Sequence, residues 1–183
     1  MGLDMYLRSK LYIGANYEHN KIDGKIELTK DGQPLDIDPS RLSEMVFAEA
    51  YWRKANAIHK WFIDNVQEGV DECQESYVTE EQLIELRDNC QQVLDRAKLV
   101  KGQVQNGYIL KDGRAVPILE EGELLADTSL AEELLPATSG FFFGGTEYNQ
   151  WYIQDLKDTV EQIDAALKRN EGKHVSYYYQ ASW

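Results

Sequence analysis

The chain opens with residues that alternate between apolar and polar side chains, and this alternation constrains the fold more than any other feature of the sequence. Successive side chains of a β-strand point to opposite faces of its sheet, so the pattern predicts a strand with one buried face. The apolar side carries Leu3, Met5, Leu7, Leu11 and Ile13, and the polar side carries Asp4, Tyr6, Arg8, Lys10 and Tyr12. We therefore expect a first strand over residues 3–13.

Two Lys-Asp-Gly segments, at residues 30–32 and 111–113, predict β-hairpins. Asp-Gly is a strong signal for a two-residue turn because glycine accepts a positive φ angle. The first segment follows strand-like residues 25–29. The second lies inside the alternating stretch 104–119, where Pro117 favours an edge strand because proline donates no hydrogen bond.

Three helices are predicted from apolar residues at helical spacing. The first begins near Lys54 and ends near Gly69. Thr79 and Gln82 form a capping box that starts the second helix. The third helix is predicted to begin with Thr146 as its N-cap and to end near residues 170–172.

The remaining segments complete an α+β pattern. Residues 43–52 fit a helix or a strand, and we favour a strand. Residues 120–139 are acidic and are interpreted as a loop or a short helix, while the aromatic run 174–183 predicts a final strand. Because strands and helices do not alternate as βαβ units, we expect a largely antiparallel sheet with about three helices packed on it, in a single domain over residues 1–183.

Acidic residues outnumber basic residues by 32 to 19, which gives this chain of 183 residues a net charge of −13. A field of this sign disfavours broad nucleic-acid binding and attachment to anionic membranes, while it favours solubility or a basic partner. Cys73 and Cys90 predict reduced thiols. No apolar run approaches the roughly 18 residues of a membrane span, and no secretory signal is evident, so we expect a cytoplasmic protein.

Residues 51–62 form the first candidate site, because they concentrate cations, an amide and an imidazole among aromatic residues. The candidate ligand-binding residues are Trp52, Arg53, Lys54, Asn56 and His59. On a helix, Trp52, Asn56 and His59 would project from one face and could hold an anionic or planar ligand. The alternative is a helix whose aromatic residues are core and whose cations are solvated.

A second candidate is the turn at Gly144, Gly145 and Thr146, which follows three consecutive phenylalanines. Unpaired backbone N–H groups before a helix could receive a phosphate or carboxylate. The alternative is an ordinary tight turn, since no Gly-Lys-Ser or Gly-Lys-Thr follows as in a phosphate-binding loop.

The sequence offers little support for catalysis. His19, His59 and His174 stand far apart without metal-ligand spacing, so no metal site and no cofactor are predicted. If the protein is an enzyme, His59 is the candidate acid or base, and it would need a carboxylate partner.

Four segments together resemble a family of small bacteriophage and prophage proteins. They are the opening Met-Gly-Leu-Asp-Met-Tyr-Leu, residues 50–62 with Tyr-Trp-Arg-Lys-Ala-Asn-Ala-Ile-His-Lys-Trp-Phe, residues 140–144, and the ending 177–183. The resemblance implies a viral origin and expression in the cytoplasm of a host bacterium. It implies no activity and no site residue.

These observations lead to one hypothesis with two alternatives. The leading hypothesis is a non-enzymatic phage accessory protein that binds a host protein or a small anionic, nucleotide-like ligand, and so counteracts host defence or redirects metabolism. The first alternative is an enzyme that acts on a phosphorylated or nucleotide-like substrate through His59. The second alternative is a structural or assembly protein, which would form homo-oligomers.

Overall fold

The computed structural model describes residues 2–14, 26–111, 113–140 and 143–183, which form an α+β fold. The strands are β1 (Asp4–Tyr12), β2 (Thr29–Lys30), β3 (Gln33–Pro34), β4 (Glu44–Arg53), β5 (Ser76–Val78), β6 (Leu99–Lys111), β7 (Arg114–Leu125) and β8 (Val175–Ser182). The helices are α1 (Asn56–Asn65), α2 (Glu80–Arg96), α3 (Ser129–Leu134) and α4 (Gln150–Asn170), with a 3₁₀ turn at Pro39–Arg41.

The main sheet has four antiparallel strands in the order β4-β1-β8-β5. Strand β1 is central and hydrogen-bonds to β4 on one side and to β8 on the other. Tyr6 lies opposite Tyr51 of β4 and Gln180 of β8, so these three side chains share a face. The register therefore decides which residues of distant segments meet on each side of the sheet.

The inner face of this sheet is buried against the helices. Phe62 of α1 stacks on Tyr179 of β8, with ring centroids 3.8 Å apart and planes 8° from parallel. Each such large side chain contributes about 1.5–3 kcal/mol when it is removed from water. The core includes Leu3 just before β1, Met5, Leu7, Tyr177, Tyr179 and Ala181 from the sheet, and Ile58, Phe62, Leu83, Leu86, Leu156 and Ile163 from α1, α2 and α4.

A bulge in β4 places a carboxylate inside the protein. Leu7 pairs with Ala50 and Arg8 pairs with Ala48, so Glu49 is the extra residue. The Ser9 hydroxyl donates to Glu49 Oε1 at 2.5 Å, the Asn170 amide donates to the same oxygen at 2.8 Å, and Arg169 Nη2 donates to Oε2 at 2.8 Å. Burial alone would raise the pKa of Glu49, but these hydrogen bonds outweigh it and lower that pKa.

Strands β6 and β7 form a separate, long two-stranded hairpin. Its basal part joins the rest of the protein, because Val104 and Leu125 are buried and the Leu125 N–H donates to the Tyr148 carbonyl at 2.8 Å. A register shift lies between Gln105 and Tyr108. Beyond that shift the apolar side chains are exposed.

Most of the predicted elements are confirmed. The first strand, the strand over 43–52, the final strand and the hairpin at residue 31 are present, and Lys111 pairs with Arg114 across the second turn. The Thr79 capping box is present as predicted. Of the strand expected at 25–29, only Thr29 is in a strand, and Lys25 lies outside the described residues.

Three structural predictions are wrong. The interpretation that Trp52 shares a helix face with Asn56 and His59 is wrong, because Trp52 lies on β4 and α1 begins only at Asn56. Helix α4 is capped by Asn149, whose side chain accepts from two N–H groups, rather than by Thr146. The segment 120–139 is not only loop and short helix, because β7 continues to Leu125 before α3 begins.

No helix within the described part of the chain is long and apolar enough to cross a membrane.

Replacing Arg169 by methionine should destabilise the protein, because the buried Glu49 carboxylate would lose a charged partner. Half of the Arg169 side chain is exposed to water, so we expect a decrease of about 2 kcal/mol in the free energy of unfolding. Urea denaturation measures this decrease. Lys168→Met, at an exposed neighbouring position, is the control, and an equal effect of both changes would contradict the role assigned to Arg169.

Candidate functional site

Trp52 is a core residue in the structure. Its side chain is only 3% exposed, and its indole N–H donates to Thr159 Oγ1 of α4 at 2.9 Å. Its ring also contacts Phe62, with centroids 6.0 Å apart. Of the predicted ligand-binding residues, Trp52 therefore joins β4 to α4 and has no surface left for a ligand in this conformation.

Asn56 connects the start of α1 to the loop that precedes α4. Its amide nitrogen donates to the carbonyl oxygens of Phe143 at 3.2 Å and Gly145 at 2.7 Å. Its amide oxygen accepts from the Thr138 N–H at 3.1 Å. Asn56 and the glycine turn, which belong to the two candidate sites, thus lie together, and the amide is used to hold the loop.

Lys54 and Gly144 also lie side by side, and both have a positive φ angle, 60° and 89°. A Cβ atom on Gly144 would lie 3.3 Å from the Cβ of Lys54, and the positive φ angle disfavours a side chain as well, so both features favour glycine here. The side chains of Arg53 and Lys54 are exposed, as are Gly145 and Thr146. This corner of the molecule therefore offers two cations and a turn to solvent.

His59 lies inside the protein and is fully buried. Its Nδ1 atom lies 2.7 Å from the Tyr179 hydroxyl, and its Nε2 atom lies 3.2 Å from Asp71 Oδ2. Burial lowers the pKa of His59, although Asp71 acts in the opposite direction. The neutral ring is consistent with an Nε2–H that donates to Asp71 and an Nδ1 that accepts from Tyr179.

Aromatic side chains surround this histidine. The other Asp71 oxygen accepts from the Trp183 indole N–H at 3.0 Å, and Phe143 contacts both His59 and Trp183 with its ring. Burial also raises the pKa of Tyr179 well above its ordinary value, so this phenol stays protonated. A ligand could touch His59 only if these aromatic residues moved, and its role as an acid or base stays a prediction.

The outer face of the main sheet carries a group of residues that the candidate sites did not include. It combines tyrosines with cations, and none of its side chains belongs to the buried core of the described residues. We call this group the tyrosine face. It consists of Tyr6, Arg8 and Lys10 of β1, Tyr51 and Arg53 of β4, Tyr77 of β5, and Tyr178 and Gln180 of β8.

Contacts within the tyrosine face fix its side chains in place. The rings of Tyr6 and Tyr51 lie 5.5 Å apart, and those of Tyr77 and Tyr178 lie 5.9 Å apart. The Lys10 ammonium lies 4.0 Å from the centre of the Tyr178 ring, a cation–π contact. The face is thus a pre-formed surface of rings and positive charge.

Carboxylates balance these cations. Glu75 pairs with Lys10 and lies 3.9 Å from Arg8, and the hydrogen bond that Lys10 donates to Glu75 is the main reason that the pKa of Lys10 is raised. On the other side of the face, Asp4 accepts from the Tyr51 hydroxyl, which raises the pKa of Tyr51. Lys10 and Tyr51 therefore keep their protons at neutral pH.

An open cleft of about 490 Å³ lies at one end of this face. It is lined by Lys10, Tyr12, Glu44, His174, Val175, Ser176 and Tyr178. One concave surface therefore combines the ammonium group of Lys10, the ring of Tyr178 and the imidazole of the exposed His174. Such a surface fits a ligand that has both a planar and an anionic part.

The signal for this face was present in the sequence. The polar side of the first strand carries Tyr6, Arg8 and Lys10, and the three tyrosines 177–179 alternate between the two faces of β8. What the sequence lacked was the pairing of β1 with β8, which puts Arg8 opposite Tyr178. Among the described residues, no group of three or more histidine, cysteine, aspartate or glutamate side chains is placed to hold a metal ion.

The state of His59 predicts a pH dependence of stability. Unfolding exposes the His59 imidazole, whose pKa then returns to the ordinary value of 6.5. The unfolded chain therefore binds a proton more readily than the folded protein does. The free energy of unfolding should therefore fall as the pH drops below 6.5, by at most about 1.4 kcal/mol per pH unit.

Urea denaturation between about pH 7 and about pH 5 measures this slope. His59→Gln should reduce the slope, whereas His174→Gln, at an exposed histidine, should leave it unchanged. Burial raises the pKa of Asp155 to about 7, so this residue also titrates in the same range. Its contribution to the slope is the same in all three proteins and cancels when their slopes are compared. Equal slopes for the wild type and His59→Gln would refute the prediction.

Comparison of the chain with protein-family models, with curated proteins and with solved structures finds no match, so its function must be argued from the geometry of these surfaces.

Proposed function

We propose that this chain is a non-enzymatic phage accessory protein that binds a small, planar, anionic ligand of the nucleotide class on the tyrosine face. The observation that carries the proposal is the contact of Lys10 with the Tyr178 ring beside the cleft. The phage origin rests on the resemblance of four sequence segments and is part of the proposal.

The chemistry of the face suits such a ligand. A base stacks on an aromatic ring at a gain of about 1–3 kcal/mol, and any base can do so because each has a π-face. Lysine and arginine donate charge-assisted hydrogen bonds to phosphate oxygens. Tyr178 or Tyr77 would receive the base, and Lys10 and Arg8 would receive the phosphate.

The charge balance limits how such a ligand binds. Glu75 already forms a salt bridge with Lys10. A phosphate therefore has to replace this carboxylate or share the Lys10 ammonium group with it. The net charge of −13 adds a general repulsion of anions. We therefore propose a ligand that obtains much of its affinity from stacking rather than from charge alone.

The corner at Arg53, Lys54 and Gly144–Thr146 is a weaker alternative for the same ligand class. It offers two exposed cations, but Asn56 and Trp52, which were predicted to line it, are engaged in internal hydrogen bonds. The enzyme alternative has less support, because His59 is fully buried. His174 is the imidazole that a ligand in the cleft would contact.

Calorimetric titration with a panel of nucleosides, mononucleotides and dinucleotides tests the proposal. We expect Lys10→Ala to weaken the binding of the best nucleotide about tenfold, which corresponds to the loss of about 1.4 kcal/mol from a charge-assisted hydrogen bond. Glu75→Gln should strengthen binding, because it frees Lys10 and removes a negative charge. Loss of the Lys10–Glu75 pair would destabilise both variants in the same way. A weaker affinity in Lys10→Ala together with a stronger affinity in Glu75→Gln therefore reports on ligand binding rather than on protein stability.

Lys60→Ala is the matched control, since Lys60 also pairs with a carboxylate but lies on α1, away from the tyrosine face. Its binding should equal that of the wild type. Absence of binding across the whole panel would refute the proposal. Loss of binding in Lys54→Ala with normal binding in Lys10→Ala would move the site to the corner instead.

A further inference from the structure

The cleft at the end of the tyrosine face contains a carboxylate that phosphate binding does not use. Glu44, the first residue of β4, lines the cleft together with Lys10 and Tyr178, and it is exposed. The Lys10 ammonium group pairs with Glu75 rather than with Glu44. Within the described part of the chain, no group donates a hydrogen bond to the Glu44 carboxylate. Its oxygens are therefore available to donors of a ligand in the cleft.

The register of the sheet separates this carboxylate from the cations of the face. Glu44 lies opposite Tyr12 at the end of β1, whereas Arg8 of β1 lies opposite Tyr178. Tyr12 and Arg8 are four residues apart, which corresponds to about 13 Å along a strand. Lys10 lies between them, and its ammonium group is 4.0 Å from the centre of the Tyr178 ring. A ligand that stacks on this ring therefore has cations towards one end and a carboxylate towards the other.

A carboxylate in this position distinguishes nucleobases by the groups on their Watson–Crick edges. It only accepts hydrogen bonds, and its two oxygens can accept from two parallel N–H groups. Guanine presents such a pair, the N1–H and the N2 amino group, side by side. Adenine and cytosine each present one amino group beside a ring nitrogen that is itself an acceptor. The single N3–H of uracil or thymine lies between two carbonyl oxygens, so guanine alone matches a carboxylate at both oxygens.

We propose that the ligand of the tyrosine face is a guanine nucleotide and that Glu44 recognises its base, an inference that rests on the nucleotide binding proposed above. The base stacks on Tyr178, and Arg8 and Lys10 contact the phosphate. The Glu44 carboxylate accepts from N1–H and from the N2 amino group. Because Glu44 lies at the opposite end of the ligand from the phosphate, its repulsion of that anion is small compared with the gain from two charge-assisted hydrogen bonds.

Calorimetric titration of the full chain with GMP, IMP and AMP tests this assignment. The three nucleotides share the same ribose and phosphate. IMP lacks only the N2 amino group of guanine, whereas AMP lacks both donors. We expect GMP to bind about tenfold more tightly than IMP and about a hundredfold more tightly than AMP, since each hydrogen bond to a charged group contributes about a factor of ten.

Glu44→Gln should change the preference between bases. A glutamine side chain offers one acceptor and one donor, which match the amino group and the ring nitrogen of adenine. We expect GMP to bind about tenfold more weakly to this variant and AMP to bind several-fold more tightly. Loss of folding cannot cause opposite changes for two ligands. Glu161→Gln, at an exposed position of α4, is the matched control and should leave both affinities unchanged.

Lys10→Ala completes the set, because the phosphate is common to all three nucleotides. It should weaken GMP and AMP by the same factor and leave their ratio unchanged. Wild-type protein that binds GMP no more tightly than AMP would overturn the assignment of guanine and leave the proposed nucleotide binding intact. A guanine preference that persists in Glu44→Gln would overturn the role of Glu44. Absence of binding by all three nucleotides would overturn this inference and the proposed function together.

Discussion

The pairing of β1 with β8 is the interaction on which the rest of the structure depends. It joins segments far apart in the chain, as in the hydrogen bond between Arg8 and Gln180, which are 172 residues apart. Closing so long a loop costs conformational entropy, although the cost grows only slowly with loop length. The burial of Met5, Leu7 and Tyr179 on one side of this pair offsets that cost.

The same pairing creates both faces of the main sheet. Because side chains alternate along a strand, Tyr177 and Tyr179 enter the core while Tyr178 points outwards. Tyr179 stacks on Phe62 and contacts His59, whereas Tyr178 lies under the Lys10 ammonium. One three-residue run thus contributes to the stability of the core and to the proposed ligand surface, and a one-residue slip of β8 would exchange the two roles.

Local features of the fold could be predicted from the sequence, whereas features that depend on distant contacts could not. The Thr79 capping box and the Asp-Gly turn at residue 31 were predictable because each depends on neighbouring residues alone. Thr146 and Asn149 are both suitable helix caps, and in the structure Asn149 bridges to Leu124 of β7 and accepts from the first N–H groups of α4. The length of β7 was missed because its acidic residues are typical of a surface loop.

The candidate site shows the same division. The sequence marked Asn56 and the glycine turn as two separate candidates, but it could not show that the Asn56 amide donates to carbonyl groups of the loop that contains this turn. Likewise, the burial and hydrogen bonding of the His59 ring depend on Asp71 and on Tyr179, which is 120 residues away. A residue type predicts the chemistry that is available, whereas tertiary contacts decide whether water or a ligand can reach it.

The net charge sets the background against which the exposed cations act. With 13 excess negative charges, the long-range field of the protein disfavours anions, and salt screens this field beyond about 8–10 Å. A contact such as that of Lys10 with an adjacent phosphate acts over about 3–4 Å and is screened much less. The net charge therefore influences how strongly an anionic partner binds, while the position of each cation beside an aromatic or apolar surface decides where it binds.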